Sequence, residues 1–109
     1  SGKQYWIIHG IPEKGRLVLD EGAREAIVVK GKSLLPSGIR GVEGSFAAGA
    51  AVACTDGSGK KWAKGLVNYS SEEISKIQGK KTEEIVDILG YKDYDEVIHR
   101  DNMVVLKNT

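Results

Sequence analysis

The chain is 109 residues long, with 40% hydrophobic and 28% charged residues. These are ordinary globular values that exclude wholesale disorder and leave room for one domain, not for a catalytic domain plus an accessory one. Sixteen Lys and Arg against fifteen Asp and Glu give a net charge of +1, which excludes nucleic-acid binding by bulk charge while leaving a local basic face open.

Fourteen glycines, dispersed along the chain, are about twice the ~7% average and announce many tight turns. Tyr5-Trp6-Ile7-Ile8 is a β-prone run, followed by the breaker-rich residues 9–15. Residues 17–19 read as a strand, after which Asp20 caps a helix with Glu21 in its first turn. Ala23, Ala26 and Ile27 share a face of that helix, and Gly31 ends it. Residues 33–39 are a turn in which Pro36 fixes φ and Gly38 permits a left-handed bend. A Cβ is expected to be poorly tolerated at both Gly22 and Gly38.

The middle is β in character. Residues 42–46 and 50–54 are strand candidates around a Gly49 turn, and the hairpin signal at 55–59 leads into a strand at 61–67. Ser70-x-x-Glu73 is a capping box, with Ile74 and Ile77 apolar and Gly79 as the stop. Thr82 opens the next helix, where Ile85, Ile88 and Leu89 share a face and Gly90 ends it. Residues 96–99 and 103–106 read as closing strands around a polar turn at 100–102. Neither repeat nor linker interrupts the pattern, so 1–109 is read as one mostly β domain with a few short helices.

Chemistry-bearing patterns are sparse. The lone Cys54 lies in an apolar run and reads as a small core residue. Gly59-Lys60-Lys61 enters a strand-like segment, not the helix a phosphate-cradling loop requires. His99-Arg100-Asp101 imitates the catalytic triplet of protein kinases, but Leu106 stands where that motif needs an Asn. His9 and His99 have no third ligand at a metal-binding spacing, and the Glu72-Glu73 and Glu83-Glu84 pairs sit at helix starts. No catalytic or metal-binding residue is therefore assigned. Two basic regions remain: Lys30, Lys32 and Arg40 around the 33–38 turn, and Lys60, Lys61 and Lys64 after the hairpin. Trp62, interleaved with the second group, either stacks a base or faces the core.

Taken together, several segments resemble the PUA domain at the C-terminus of glutamate 5-kinases. They run in order through residues 3–7, Leu19-Asp20-Glu21-Gly22-Ala23, Lys32-Ser33-Leu34-Leu35-Pro36-Ser37-Gly38-Ile39, 42–46, 65–71, 88–91 and Val97-Ile98-His99-Arg100-Asp101-Asn102-Met103. Residues 33–39 and the final His-Arg-Asp-Asn are the most specific. The resemblance implies a PUA-like pseudo-barrel of short strands with a few short helices. It also implies a fragment of a longer enzyme, without the amino-acid-kinase domain that would phosphorylate L-glutamate with ATP and magnesium in proline synthesis. The chain starts at Ser1 without a methionine, in keeping with such a piece.

The resulting expectation is a non-catalytic accessory domain, without a cofactor of its own, that modulates the activity or assembly of its parent. The alternative is an RNA-binding PUA module. By position, the family's RNA face maps to Gly22, Ala23, Lys30, Lys32, Ser33 and Arg100, with Lys60, Lys61 and Lys64 as the competing basic patch. Glu21 and Glu25 beside that helix, with the net charge of +1, make any RNA contact weak. The expected partner is the kinase domain of the same chain, the fragment being monomeric and the parent oligomeric. No apolar run approaches the ~20 residues of a membrane span and no signal-peptide pattern opens the chain. A cytoplasmic setting without membrane partners is expected.

Overall fold

The computed structural model describes residues 2–107. One sheet carries five strands: β1 (Glu13–Leu19), β2 (Ile39–Glu43), β3 (Ala51–Thr55), β4 (Lys61–Leu66) and β5 (Met103–Val105). Their spatial order is β2-β1-β3-β4-β5, with β1 and β3 parallel and every other pair antiparallel. The helices are α1 (Gly2–Tyr5), α2 (Glu21–Val28), α3 (Ser71–Ile77) and α4 (Ile85–Leu89). A π-helical turn at Trp6–Gly10 and 3-10 turns at Pro36–Gly38, Thr82–Glu84 and Arg100–Asn102 complete the chain.

This overturns the expected mostly β pseudo-barrel. Among the described residues the edge strands β2 and β5 do not pair, and helical turns hold more residues than strands do. The fold is mixed α/β around an open sheet. α3 packs against β2, while β5 is three residues long and, among the described residues, pairs only with β4. Closing a sheet into a barrel needs edge strands long enough to tilt and meet, and neither edge offers that.

Local chemistry explains most elements. The Asp20 carboxylate accepts the Ala23 N–H at 2.8 Å, occupying one of the orphan donors at the start of α2. At its other end Gly31, at φ +64°, donates to the Ile27 carbonyl while Lys32 N–H donates to Ala26. The Gly31 bond is that of the αL cap motif, which needs a left-handed residue at this position. At α3 the Ser70 hydroxyl accepts from Glu73 N–H at 3.2 Å, and Glu73 accepts from Ser70 N–H at 2.8 Å, closing the capping box.

Two strand readings fail. The β-prone Tyr5-Trp6-Ile7-Ile8 run is helical: with no neighbouring strand to pair with, it satisfies its own backbone and buries only Ile7. Residues 96–99 contribute a single bridge, between Leu34 and Ile98, not a strand.

Behind the sheet Leu17, Cys54, Trp62, Tyr69, Ile74, Ile85 and Ile98 form one core cluster. All five residues of β3 are buried, as expected for a central strand covered on both faces. Burial pushes the Cys54 thiol up to about 12, so almost no reactive thiolate exists at neutral pH. Native protein at pH 8 is therefore expected to resist iodoacetamide, with full labelling only after denaturation; mass spectrometry checks this. Rapid native labelling would show that the core opens readily.

Candidate functional site

Two grooves adjoin where α2, the 29–38 loop and β5 meet. The first, about 490 Å³, runs beside α2 and is lined by Asp20, Gly22, Ala23, Lys32, Ser33 and Gly38, with four further residues. The second, about 330 Å³, is lined by Gln4, Ile27, Gly31, Lys32, Arg100 and residues 103–105. Lys32 borders both. Thus Gly22, Ala23, Lys32 and Ser33 meet on the first groove and Lys32 and Arg100 on the second, while Lys30 lines neither and stands exposed beyond α2.

The loop is held in place by backbone bonds. Leu34 N–H donates to the Ile98 carbonyl at 2.9 Å, and Val97 N–H returns a bond to the Leu34 carbonyl at 2.8 Å. The Ser33 hydroxyl accepts the Arg100 N–H at 2.8 Å, tying the loop to the Arg100–Asn102 turn. Asp101 N–H donates to His99 Nδ1 at 3.0 Å, so this histidine caps a turn. Arg40 pairs with Asp20 at 2.9 Å, which removes the one acid lining the first groove from competition for a cation.

The side chains of Lys30, Lys32 and Arg100 make no ion pair among the described residues. Among the described residues no acid lines the second groove. Such a surface offers point charges to a phosphate or carboxylate at short range.

Gly22 departs from expectation, while Gly38 is intolerant of a Cβ as expected but for a different reason. An added Cβ at Gly22 would meet only Asp20 Oδ1, at 3.5 Å, so this position has room. At Gly38 φ is not positive; the constraint is a close approach, since its Cβ would lie 2.5 Å from Ala23 Cβ.

The hairpin group comes apart. Lys60 is exposed, Lys61 pairs with Glu13, and Lys64 is only 4% exposed. Its ammonium donates to the carbonyls of Ile11 (2.6 Å) and Ile8 (3.2 Å), pinning the N-terminal turns to the sheet. Trp62 is buried, with the Arg24 guanidinium 5.3 Å from its ring centroid, so it cannot stack a base. Gln4 and residues 103–105 were not among the expected site residues; the tertiary fold brings them to the second groove.

No cluster of three His, Cys, Asp or Glu able to hold a metal exists among the described residues. The Gly57–Gly59 turn opens β4, not a helix. The described residues thus offer neither a clustered metal-ligand set nor a phosphate-cradling loop at a helix start. Among the described residues no helix is long and apolar enough to cross a membrane.

Comparison with known proteins adds a second line of argument. Residues 15–89 match the family model described as PUA domain. A glutamate 5-kinase of Syntrophus aciditrophicus (strain SB) is 54% identical over 109 residues, all of this chain and 28% of that protein. One from Thermoanaerobacter sp. (strain X514) is 55% identical over 107 residues, 98% of this chain and 29% of its own length. The chain therefore spans less than a third of the curated relatives it matches. Among solved structures, a PUA domain from Aeropyrum pernix K1, crystallised as a tartrate complex, is similar at a TM-score of 0.56 and 25% identity. That likeness covers 79% of this chain and 41% of the other.

Proposed function

The chain belongs to the PUA domain family, and from that premise we propose that it is the non-catalytic accessory domain of a glutamate 5-kinase. The observation carrying this reading is the 54% identity that runs through all 109 residues into part of a glutamate 5-kinase. In this reading the parent transfers phosphate from ATP, with magnesium, to the γ-carboxylate of L-glutamate. That chemistry, in this reading, is supplied outside these residues. The domain's task is then to modulate the activity or assembly of the kinase domain in the same chain.

The test compares the full parent with a form lacking these 109 residues, and with the isolated chain. Glutamate-dependent ATP turnover is expected in the first two, with altered kinetics or assembly in the second, and none in the third. Turnover by the purified isolated chain would overturn the assignment.

A second reading, RNA binding, is favoured by one observation: among the described residues Lys32 and Arg100 make no ion pair on a groove lined by no acid, and the exposed Lys30 beside them makes none either. With a net charge of +1, binding to structured RNA is expected only in the ~10⁻⁴–10⁻⁶ M range of non-specific contact. A Lys30→Ala/Lys32→Ala variant should weaken it and reduce the salt slope by about 1–2, whereas Lys60→Ala/Lys61→Ala should leave it unchanged. Titration at two salt concentrations reads both. Binding abolished by the hairpin pair alone would refute this placement, and sub-micromolar binding at physiological salt would move RNA recognition to first place.

A further inference from the structure

The N-terminal turns cover only part of the outer sheet face. Beyond them lies a polar cleft of about 420 Å³, lined by Glu13, Lys14, Arg16, Glu43, Thr55 and Lys61 together with Ala53 and three glycines. This is far more space than the ~30 Å³ share of one water. Strand register fixes its construction. Arg16 is opposite Glu43 on one side and Ala53 on the other, and Val18 is opposite Thr55. Side chains alternate along a strand, so Ala53 and Thr55 form a floor on the same face as Arg16 and Glu43. Leu17 and Cys54 point the other way, into the core.

Opposite charges flank that floor twice. Lys61 pairs with Glu13, and Arg16 pairs with Glu43 at 3.9 Å, with all four side chains between 32% and 61% exposed. Exposed pairs of this kind hold together weakly, so a ligand carrying both signs can exchange with them charge for charge. On the floor, Thr55 is 2% exposed and its hydroxyl has no hydrogen-bond partner among the described residues. A buried hydroxyl left unpaired is costly, and Thr55 is one of the residues lining the cleft.

We propose that this cleft binds a small zwitterion of the α-amino-acid class. Its carboxylate meets Arg16 or Lys61, its ammonium meets Glu43 or Glu13, and a polar atom of the ligand satisfies Thr55. Lys14 adds a third cation to the rim. A plain anion would leave both glutamates unused, and a plain cation would meet three positive charges.

The experiment is a titration of ¹⁵N-labelled protein with each of the twenty standard amino acids, beside acetate and methylammonium at matched ionic strength. At least one amino acid should give saturable millimolar binding, with amide shifts at Gly15, Gly44 and Gly59, that neither control reproduces. Thr55→Val should weaken that binding about fivefold or more, by loss of one buried hydrogen bond. Arg16→Gln, on an exposed side chain that leaves the core untouched, should weaken it in parallel. No saturable response to any amino acid would overturn the proposal. So would an equal response to acetate, or unchanged affinity in the Arg16 variant and a folded Thr55 variant.

Discussion

Lys64→Ala is expected to lower the unfolding free energy by about 3 kcal/mol, enough to shift the folded-to-unfolded ratio by roughly a hundredfold. Lys64 is 4% exposed, and its ammonium is held by the Ile8 and Ile11 carbonyls, with no carboxylate partner among the described residues. Removing it strips two carbonyls of their donor and loses the packing of the lysine stem. Lys64→Met restores the stem without the donor, so the difference between the variants separates packing from hydrogen bonding. Urea unfolding gives the energy, and hydrogen exchange at residues 7–11 gives its location. Wild-type stability in Lys64→Ala, with unchanged exchange there, would show that the N-terminal turns do not depend on this bond.

Gly38→Ala should cost about 1–3 kcal/mol, because one added methyl must displace the start of α2. The new Cβ would lie 2.5 Å from Ala23 Cβ, and the same loop carries the Asp20 N–H to Gly38 carbonyl bond at 3.0 Å. The clash is pairwise, so Ala23→Gly in the same molecule should recover much of the loss. Some deficit should remain, since Gly within a helix costs about 1 kcal/mol. A double-mutant cycle measured by thermal unfolding checks this: coupling near zero would place the strain elsewhere. Both residues line the first groove, so the single variant should also alter whatever binds there.

The sequence made the local devices legible and hid the tertiary ones. Asp20, Gly31 and the Ser70–Glu73 box act through bonds within a few residues, and their spacing announces them. The turn after β3 is visible for the same reason. Gly38 was readable as a glycine that must stay, but not why, because Ala23 is fifteen positions away in the chain and its nearness depends on how α2 docks. Lys64 reads as one more hairpin lysine until the N-terminal turns cover it. Tyr5-Trp6-Ile7-Ile8 has strand composition but no strand beside it, and local preference yields to that context. Barrel closure was the hardest to read, since it depends on which edges meet, and no short stretch of sequence records that. For the candidate site, the positions around Gly22 and Lys32 were legible through motif position. Gln4 and the polar cleft were not, because helix docking brings the one and strand register assembles the other from distant segments.

The parallel pairing of β1 with β3 has a consequence for how the molecule assembles. β3 and β4 are joined by a tight turn and close a small loop, whereas Leu17 meets Cys54 only after α2 and β2 have been folded out between them. Closing that larger loop spends chain entropy before any contact returns it, so the parallel pair is the slow, committing event. The Lys64 bond to the Ile8 carbonyl spans 56 residues, and its acceptors can dock only on a sheet face that already exists. Refolding followed by pulsed hydrogen exchange should therefore protect the β3–β4 hairpin amides first, β1 next and residues 7–11 last.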